Sequence, residues 1–168
     1  TLCLGGNSIG HYGAKAIAEA LKENKVLITL DLTLNSIGDE GAKAIAEAFT
    51  VNNVLTTLYL DNNSIGVDGA KAITEALKVN TALTTLNLDF NSIGANNAQH
   101  YGCALLWNWT VNDENEFKIA HEGGITRILL AMKVHSRNCN VQHYGCGALW
   151  NLALNDNNKV TIAEQEGI

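Results

Sequence analysis

The feature that most constrains this chain is a repeat with a fixed period of 28 residues. Leu2-Cys3-Leu4-Gly5-Gly6-Asn7, Leu30-Asp31-Leu32-Thr33-Leu34-Asn35, Leu58-Tyr59-Leu60-Asp61-Asn62-Asn63 and Leu86-Asn87-Leu88-Asp89-Phe90-Asn91 superimpose without a gap. Each runs on into Ser-Ile-Gly, as at Ser36-Ile37-Gly38, and three continue into Gly-Ala-Lys-Ala-Ile, as at Gly41 to Ile45. A constant period outranks local propensity, because it defines a unit that buries its apolar faces only by stacking on its neighbours.

Within a unit, the alternation Leu-x-Leu predicts a short strand with its leucines turned inward. From Gly41 to Thr50, the residues Ala42, Ile45, Ala46 and Phe49 fall at helical spacing, so a helix returns on the outside. Stacked units then give a parallel sheet on one side and helices on the other. The recurring Asn7, Asn35, Asn63 and Asn91 are predicted to point inward and satisfy backbone groups that the turn would leave unpaired. The outward strand positions are Thr29, Asp31 and Thr33, then Thr57, Tyr59 and Asp61, then Thr85, Asn87 and Asp89. Asp31, Tyr59, Asp61, Asn87 and Asp89 are the candidate partner surface. A plain solvated face remains open beside that reading.

This pattern resembles the leucine-rich repeats of the ribonuclease-inhibitor type, as in NOD-like receptors, Ran GTPase-activating proteins and ribonuclease inhibitor. The resemblance covers Thr1 to about Gly94 and implies a curved binding scaffold rather than a reaction. The Ran-activating resemblance also leaves open a regulator of a GTPase or of another enzyme, acting through the leucine-rich face. An immune-receptor role lacks the support of a nucleotide-binding module in this sequence.

A second period, of 43 residues, follows. Gln99-His100-Tyr101-Gly102-Cys103 recurs as Gln142-His143-Tyr144-Gly145-Cys146, and Leu106-Trp107-Asn108 as Leu149-Trp150-Asn151. Asn112-Asp113 recurs as Asn155-Asp156, Ile119-Ala120 as Ile162-Ala163, and Gly124-Ile125 as Gly167-Ile168. Between the turn signals the pattern predicts helices near 114–121, 125–135 and 141–154, with Gly123-Gly124 breaking the first from the second. The stretches Ala148–Leu152 and Asn155–Ala163 resemble the armadillo repeat, a short helix followed by two longer ones.

The armadillo resemblance covers about Ala95 to Ile168 and implies a groove for an extended peptide, its backbone held by Asn108 and Asn151. Tyr101 and Tyr144 lie seven residues earlier on the same helical stripe. Ala104 and Gly147 between them would leave the stripe shallow, and Asp113, Glu114 and Asp156 would favour basic side chains. Two repeats make a short groove, so a longer array is the expected binder. The sequence departs from the family at its groove tryptophan, where this chain has Ala104 and Gly147. Its own Trp107 and Trp150 are expected in the core, Trp150 grouping with Cys146, Leu149 and Ala153.

The expected fold is therefore an α/β solenoid of leucine-rich repeats, residues 1–94, continuing into an all-α armadillo solenoid, residues 95–168. A helix near 97–110 would be shared, since Ala98, Tyr101 and Leu105 take the register places of Ala42, Ile45 and Phe49. No spacer rich in Pro, Ser or Gly intervenes. Thr1 falls in mid-repeat and Ile168 at a repeat boundary, which predicts a piece of a longer array. Uncapped end units would associate end to end.

Composition narrows the function. With 46% hydrophobic and 17% charged residues the chain reads as folded. A formal charge of −6 without a basic stripe argues against nucleic acid, and no apolar run reaches the length of a membrane span. Cys103 and Cys146 hold one repeat position and read as small helix residues, consistent with reduced thiols and a cytoplasmic or nuclear protein. His135, Cys139, His143 and Cys146 mimic a zinc run, but their helical spacing does not readily close a tetrahedral site. Lys15, Lys43 and Lys71 precede Glu19, Glu47 and Glu75 by four residues and are expected to pair with them on the surface. Neither a nucleophile motif nor a phosphate loop is present. The reading is a non-enzymatic scaffold without a cofactor, whose partner is a protein or an extended, basic peptide.

Overall fold

Alternation at Leu30-Asp31-Leu32 decides the first layer: both leucines are fully buried, and Asp31 between them is only half-buried on the other face. The same holds at Leu58-Tyr59-Leu60. In this computed structural model, which describes residues 1–111 and 113–166, those segments form short strands. The recurrences at Asn112, Gly167 and Ile168 lie outside the described residues, as does the side chain of Glu114.

The chain forms two compact units, Thr1–Gly94 and Ala95–Ile168. In the first unit the order is β1 (Leu2–Cys3), α1 (Gly10–Glu23), β2 (Thr29–Asp31), α2 (Gly38–Phe49), β3 (Thr57–Tyr59), α3 (Val67–Ala76) and β4 (Thr85–Asn87). The strands make one parallel sheet in the order β1-β2-β3-β4, with Leu2 opposite Leu30, Leu30 opposite Leu58 and Leu58 opposite Leu86. Sequence period and sheet register are thus the same quantity. On the helix side, α1 packs on α2 and α2 on α3. Ala42, Ile45, Ala46 and Phe49 are all buried, as their spacing requires. Small residues allow the close approach: a methyl on Gly41 would come within 2.9 Å of the Ala14 side chain of the preceding helix.

The asparagine ladder is structural. Asn35, fully buried, donates from Nδ2 to the carbonyls of Leu4 (2.8 Å), Leu32 (3.0 Å) and Thr33 (3.0 Å). Its Oδ1 accepts from the amides of Asn7 (3.0 Å) and Ile9 (3.2 Å). Asn63 and Asn91 repeat the arrangement one unit further on each time. A second ladder of the same period runs at the other end of each unit. Asn52 donates to the carbonyls of Leu21 (2.7 Å) and Asn24 (3.0 Å) and accepts from the amides of Val54 and Leu55. Asn80 does the same toward Phe49, Asn52, Ala82 and Leu83. Each repeat is therefore tied to the one before by an amide at both ends of its helix.

Surface ion pairs follow a different register from the expected one. Glu19 and Glu75 pair with Lys22 and Lys78, three residues on, at 2.6 and 2.7 Å. Lys43 reaches back to Glu40 (2.9 Å) and across to Asp68 (3.8 Å), while Lys15 lies 3.9 Å from Glu40 of the next helix. Stacking places an acidic residue of the following unit within reach of Lys15 and Lys43.

The second unit is helical: α4 (Ala95–Trp109), α5 (Asp113–His121), α6 (Gly124–Val134), α7 (Cys139–Leu152) and α8 (Asp156–Glu166). Gly123, in a left-handed conformation at φ 78°, separates α5 from α6. Asn138 caps α7 through bonds from the amides of Asn140 and Val141. The core is Ile125, Ile128, Leu129, Ala148 and Leu152, with Leu106, Trp107, Ile119, Met132 and Ile162 packed around it. Trp107 thus fits the expectation of a core residue, but Trp150 does not: it is 76% exposed. The physical reason is that α7 packs on α4 and α6 through its other sides. Ala98, placed by register with Ala42, is also exposed, whereas Tyr101 is buried.

Candidate interaction surfaces

In the first unit the strands present Asp31, Tyr59 and Asn87 side by side, since β2, β3 and β4 pair in register at these residues. Asp61 and Asp89 follow two residues further along. This face is organised by its own hydrogen bonds. Asp31 Oδ1 accepts from the Thr33 amide at 2.9 Å, and Asn87 Oδ1 from the Asp89 amide at 2.8 Å, so both close a turn where the strand ends. Asp61 Oδ1 accepts from the Thr33 hydroxyl at 2.8 Å, a bond between neighbouring repeats, and Oδ2 from Asn62 Nδ2 at 3.2 Å. Asp31, Tyr59 and Asn87 thus form one row across the strands, Asp61 and Asp89 follow just past the strand ends, and the carboxylates of Asp31 and Asp61 are held in place.

Residues that the sequence reading missed stand at the end of this face. Gly6, Leu34, Asn62 and Phe90 occupy one repeat position, and all four are left-handed, at φ 72°, 56°, 56° and 53°. Glycine and asparagine tolerate that conformation, whereas leucine and phenylalanine do so at a cost of about 1–2 kcal/mol. Leu34 is 59% exposed and Phe90 84% exposed. Two units of the sheet separate them, on the order of 10 Å at the usual strand spacing. The available signal was the appearance of large apolar residues in a column otherwise suited to glycine and asparagine.

In the second unit the proposed peptide-binding residues have structural partners. Asn151 Nδ2 donates to the Thr110 hydroxyl (3.1 Å) and the Trp107 carbonyl (3.5 Å), and Asn108 is half-buried. Tyr101 is buried and stacks on His100, which Tyr144 covers from α7 at a ring distance of 5.2 Å. Burial holds the His100 imidazole below its ordinary pKa. The space expected beside Gly147 is taken by the Trp107 indole, and Ala104 is buried. A cavity of about 260 Å³ lies elsewhere, lined by Phe117, His121, Ile125, Asn155, Asn158 and Thr161 among others. Among the described residues, no cluster of three or more His, Cys, Asp or Glu side chains could hold a metal ion, and no helix is long and apolar enough to cross a membrane.

The family model described as "Leucine Rich repeat" matches residues 23–46, 51–73 and 79–96. The chain carries leucine-rich repeats. Each stretch runs through one strand, β2, β3 or β4, into the helix that follows, consistent with the sheet register above. No curated protein matches the chain. Among solved structures, "Leiomodin-1 Actin-Binding Site 2 (ABS2)" is similar, with a TM-score of 0.59 and 28% identity. The likeness covers 65% of this chain and 64% of that one, so less than two thirds of the neighbour's length is spanned.

Proposed function

We propose that the chain is a non-enzymatic protein-interaction scaffold that engages its partner through the sheet face of the leucine-rich unit. The observation that carries this reading is the pair Leu34 and Phe90. Two large apolar side chains are held exposed on backbone that disfavours them, and such local cost persists where function requires it. Around them Asp31, Asp61 and Asp89 supply negative charge and Tyr59 an aromatic anchor of the kind enriched in interfaces. The partner suited to this face is a protein offering an apolar contact flanked by basic side chains. Because the similar solved structure is an actin-binding site, actin is the first partner to test. The ribonuclease-inhibitor subtype belongs to this proposal too, supported by the 28-residue period and its one strand and one helix per unit.

For the second unit the proposal is an armadillo-like solenoid. Its support is the succession of α5, α6 and α7, of 9, 11 and 14 residues, and the 43-residue recurrence of α4 in α7. A peptide site on Asn108 and Asn151 is the weaker reading, because the Asn151 amide already ties α7 to the end of α4.

The test is co-sedimentation with filamentous actin and pull-down of monomeric actin, using wild type and the double variant Leu34→Asn/Phe90→Asn. Binding by wild type and a loss of tenfold or more (about 1.4 kcal/mol) in the variant would support the reading. Binding that survives the double substitution and also Asp61→Lys would remove this face from the mechanism, and no binding to either form would remove actin.

A further inference from the structure

Charge is unevenly laid out along this chain. The formal net charge is −6, yet residues 123–155 hold Arg127, Lys133 and Arg137 and no acidic residue. All three side chains are exposed, and none pairs with an acidic group among the described residues. On α6 they frame uncovered apolar side chains: Leu130 is 58% and Val134 66% exposed. Arg127, Leu130 and Val134 follow one another at three and four residues, so they share one stripe of the helix. Between this stripe and Gln99 of α4 opens a cavity of about 200 Å³, walled by Arg127, Leu130, Ala131, Val134 and His135. The sheet face of the first unit has the opposite character. Asp31, Asp61 and Asp89 lie on it or at its edge, and residues 29–34, 57–62 and 85–90 include no lysine or arginine. Phe90, 84% exposed, stands out at that edge.

We propose that α6 of a second copy of this chain docks on the sheet face, with Phe90 as the knob and the α6 cavity as its socket. The inference rests on the reading of that face as an interaction surface, and it names a partner. Volume, length and charge all match. An apolar pit of about 150 Å³ takes a benzene ring, so the Phe90 phenyl has room in this one. The stripe from Arg127 to Val134 rises roughly 10 Å along the helix. Leu34 and Phe90, two strand spacings apart, are separated by about the same distance. Asp89 precedes Phe90 and Asp61 lies one repeat back, so carboxylates reach Arg127 as the ring enters. A guanidinium beside an aromatic ring adds its own attraction. Every copy carries one knob and one socket, so the contact is heterologous. It involves few side chains and belongs with weak, reversible contacts. While it lasts it covers the face that any other partner needs, so self-association regulates that face.

The test is sedimentation equilibrium of the full chain from micromolar to millimolar concentration, with no other protein present. The mean mass of the wild type is expected to rise with concentration, and to rise less at high salt. Two variants each remove one side of the contact: Asp89→Lys/Phe90→Asn spoils the knob, and Arg127→Glu/Leu130→Asp the socket. Each alone should associate about tenfold more weakly than the wild type, with its helical content by circular dichroism unchanged. Mixed together, they should form a one-to-one dimer and nothing larger, because the first keeps a socket and the second a knob. A wild type that stays monomeric over the whole range would overturn the proposal. So would variants that associate as strongly as the wild type, or a mixture that fails to pair. None of these results depends on actin. Absent self-association, together with actin binding that is lost in Leu34→Asn/Phe90→Asn, would keep the sheet face as an interaction surface and remove only the second copy as its partner.

Discussion

One buried amide in each of the two inner leucine-rich units, Asn35 and Asn63, answers for several backbone groups at once, which makes these asparagines sensitive single residues of the molecule. Asn63 bonds the carbonyls of Leu32 and Asp61 and the amides of Asn35 and Ile37. Asn63→Ala should therefore destabilise by about 1–3 kcal/mol, the cost of stranding buried polar groups. Asn52→Ala should cost about as much, through the carbonyls of Leu21 and Asn24. An unchanged urea midpoint in either variant would contradict the assignment. The first ladder was legible because its asparagines close the Leu-x-Leu motif. The second, Asn24, Asn52 and Asn80, has the same period but no strand pattern beside it to signal burial. Cysteine chemistry separates by burial in the same way. Cys3, Cys139 and Cys146 are exposed, whereas Cys103 is buried and its thiol is pushed up in pKa by desolvation. At neutral pH that lowers its thiolate fraction, the form that reacts. A colorimetric thiol assay on the native protein should count three fast thiols, with Cys103 joining them only in denaturant. Four equally fast thiols would show that the α4 position is open.

At the scale of elements, strands and helices of the first unit were readable because one period set both the register and the inward face. The turn between them was not. Left-handed geometry at Leu34 and Phe90 is invisible to a hydrophobicity pattern, since it belongs to the turn that each unit repeats, shared with Gly6 and Asn62 at the same position. Leu34→Asn and Phe90→Asn should each raise stability by about 1 kcal/mol by relieving that cost, seen as a higher melting temperature. The same substitutions should weaken partner binding, a trade that marks a functional position rather than a structural one. A fall in melting temperature would mean instead that the side chains pack against the fold. Helix α7 shows the opposite limit. Its periodicity grouped Trp150 with Cys146, Leu149 and Ala153, but Leu149 packs against the core while Trp150 and Cys146 are exposed, because amphipathicity cannot say which part of an apolar face a neighbour covers.

At the scale of the whole molecule, the stacked repeats of the first unit should not be equally stable. β2 and β3 have a strand on each side, and their Leu30, Leu32, Leu58 and Leu60 are fully buried. β1 has one neighbour; Leu2 is 42% exposed and Asn7, the first rung of the ladder, is exposed too. The amide of Leu4 still donates to Asp31 at 2.9 Å, so β1 is formed, but it can open without breaking the bonds of β3. In a nearest-neighbour array, the free energy of opening at one end is the loss of a single interface, while the centre opens only with most of the stack. Native-state hydrogen exchange should therefore rank the amide of Leu32, which bonds one inner strand to the other, as slowest, with Leu4 and Leu60, whose bonds join an edge strand, both faster. The gap should narrow as denaturant is added and global unfolding takes over the exchange of every strand. Asn35→Ala cuts the bonds from Asn35 to Leu4, Asn7 and Ile9 and should speed exchange at Leu4 more than at Leu60. Equal protection of Leu4, Leu32 and Leu60 at low denaturant would mean that the unit unfolds as one body, and that the ladder couples the repeats more strongly than a nearest-neighbour array allows.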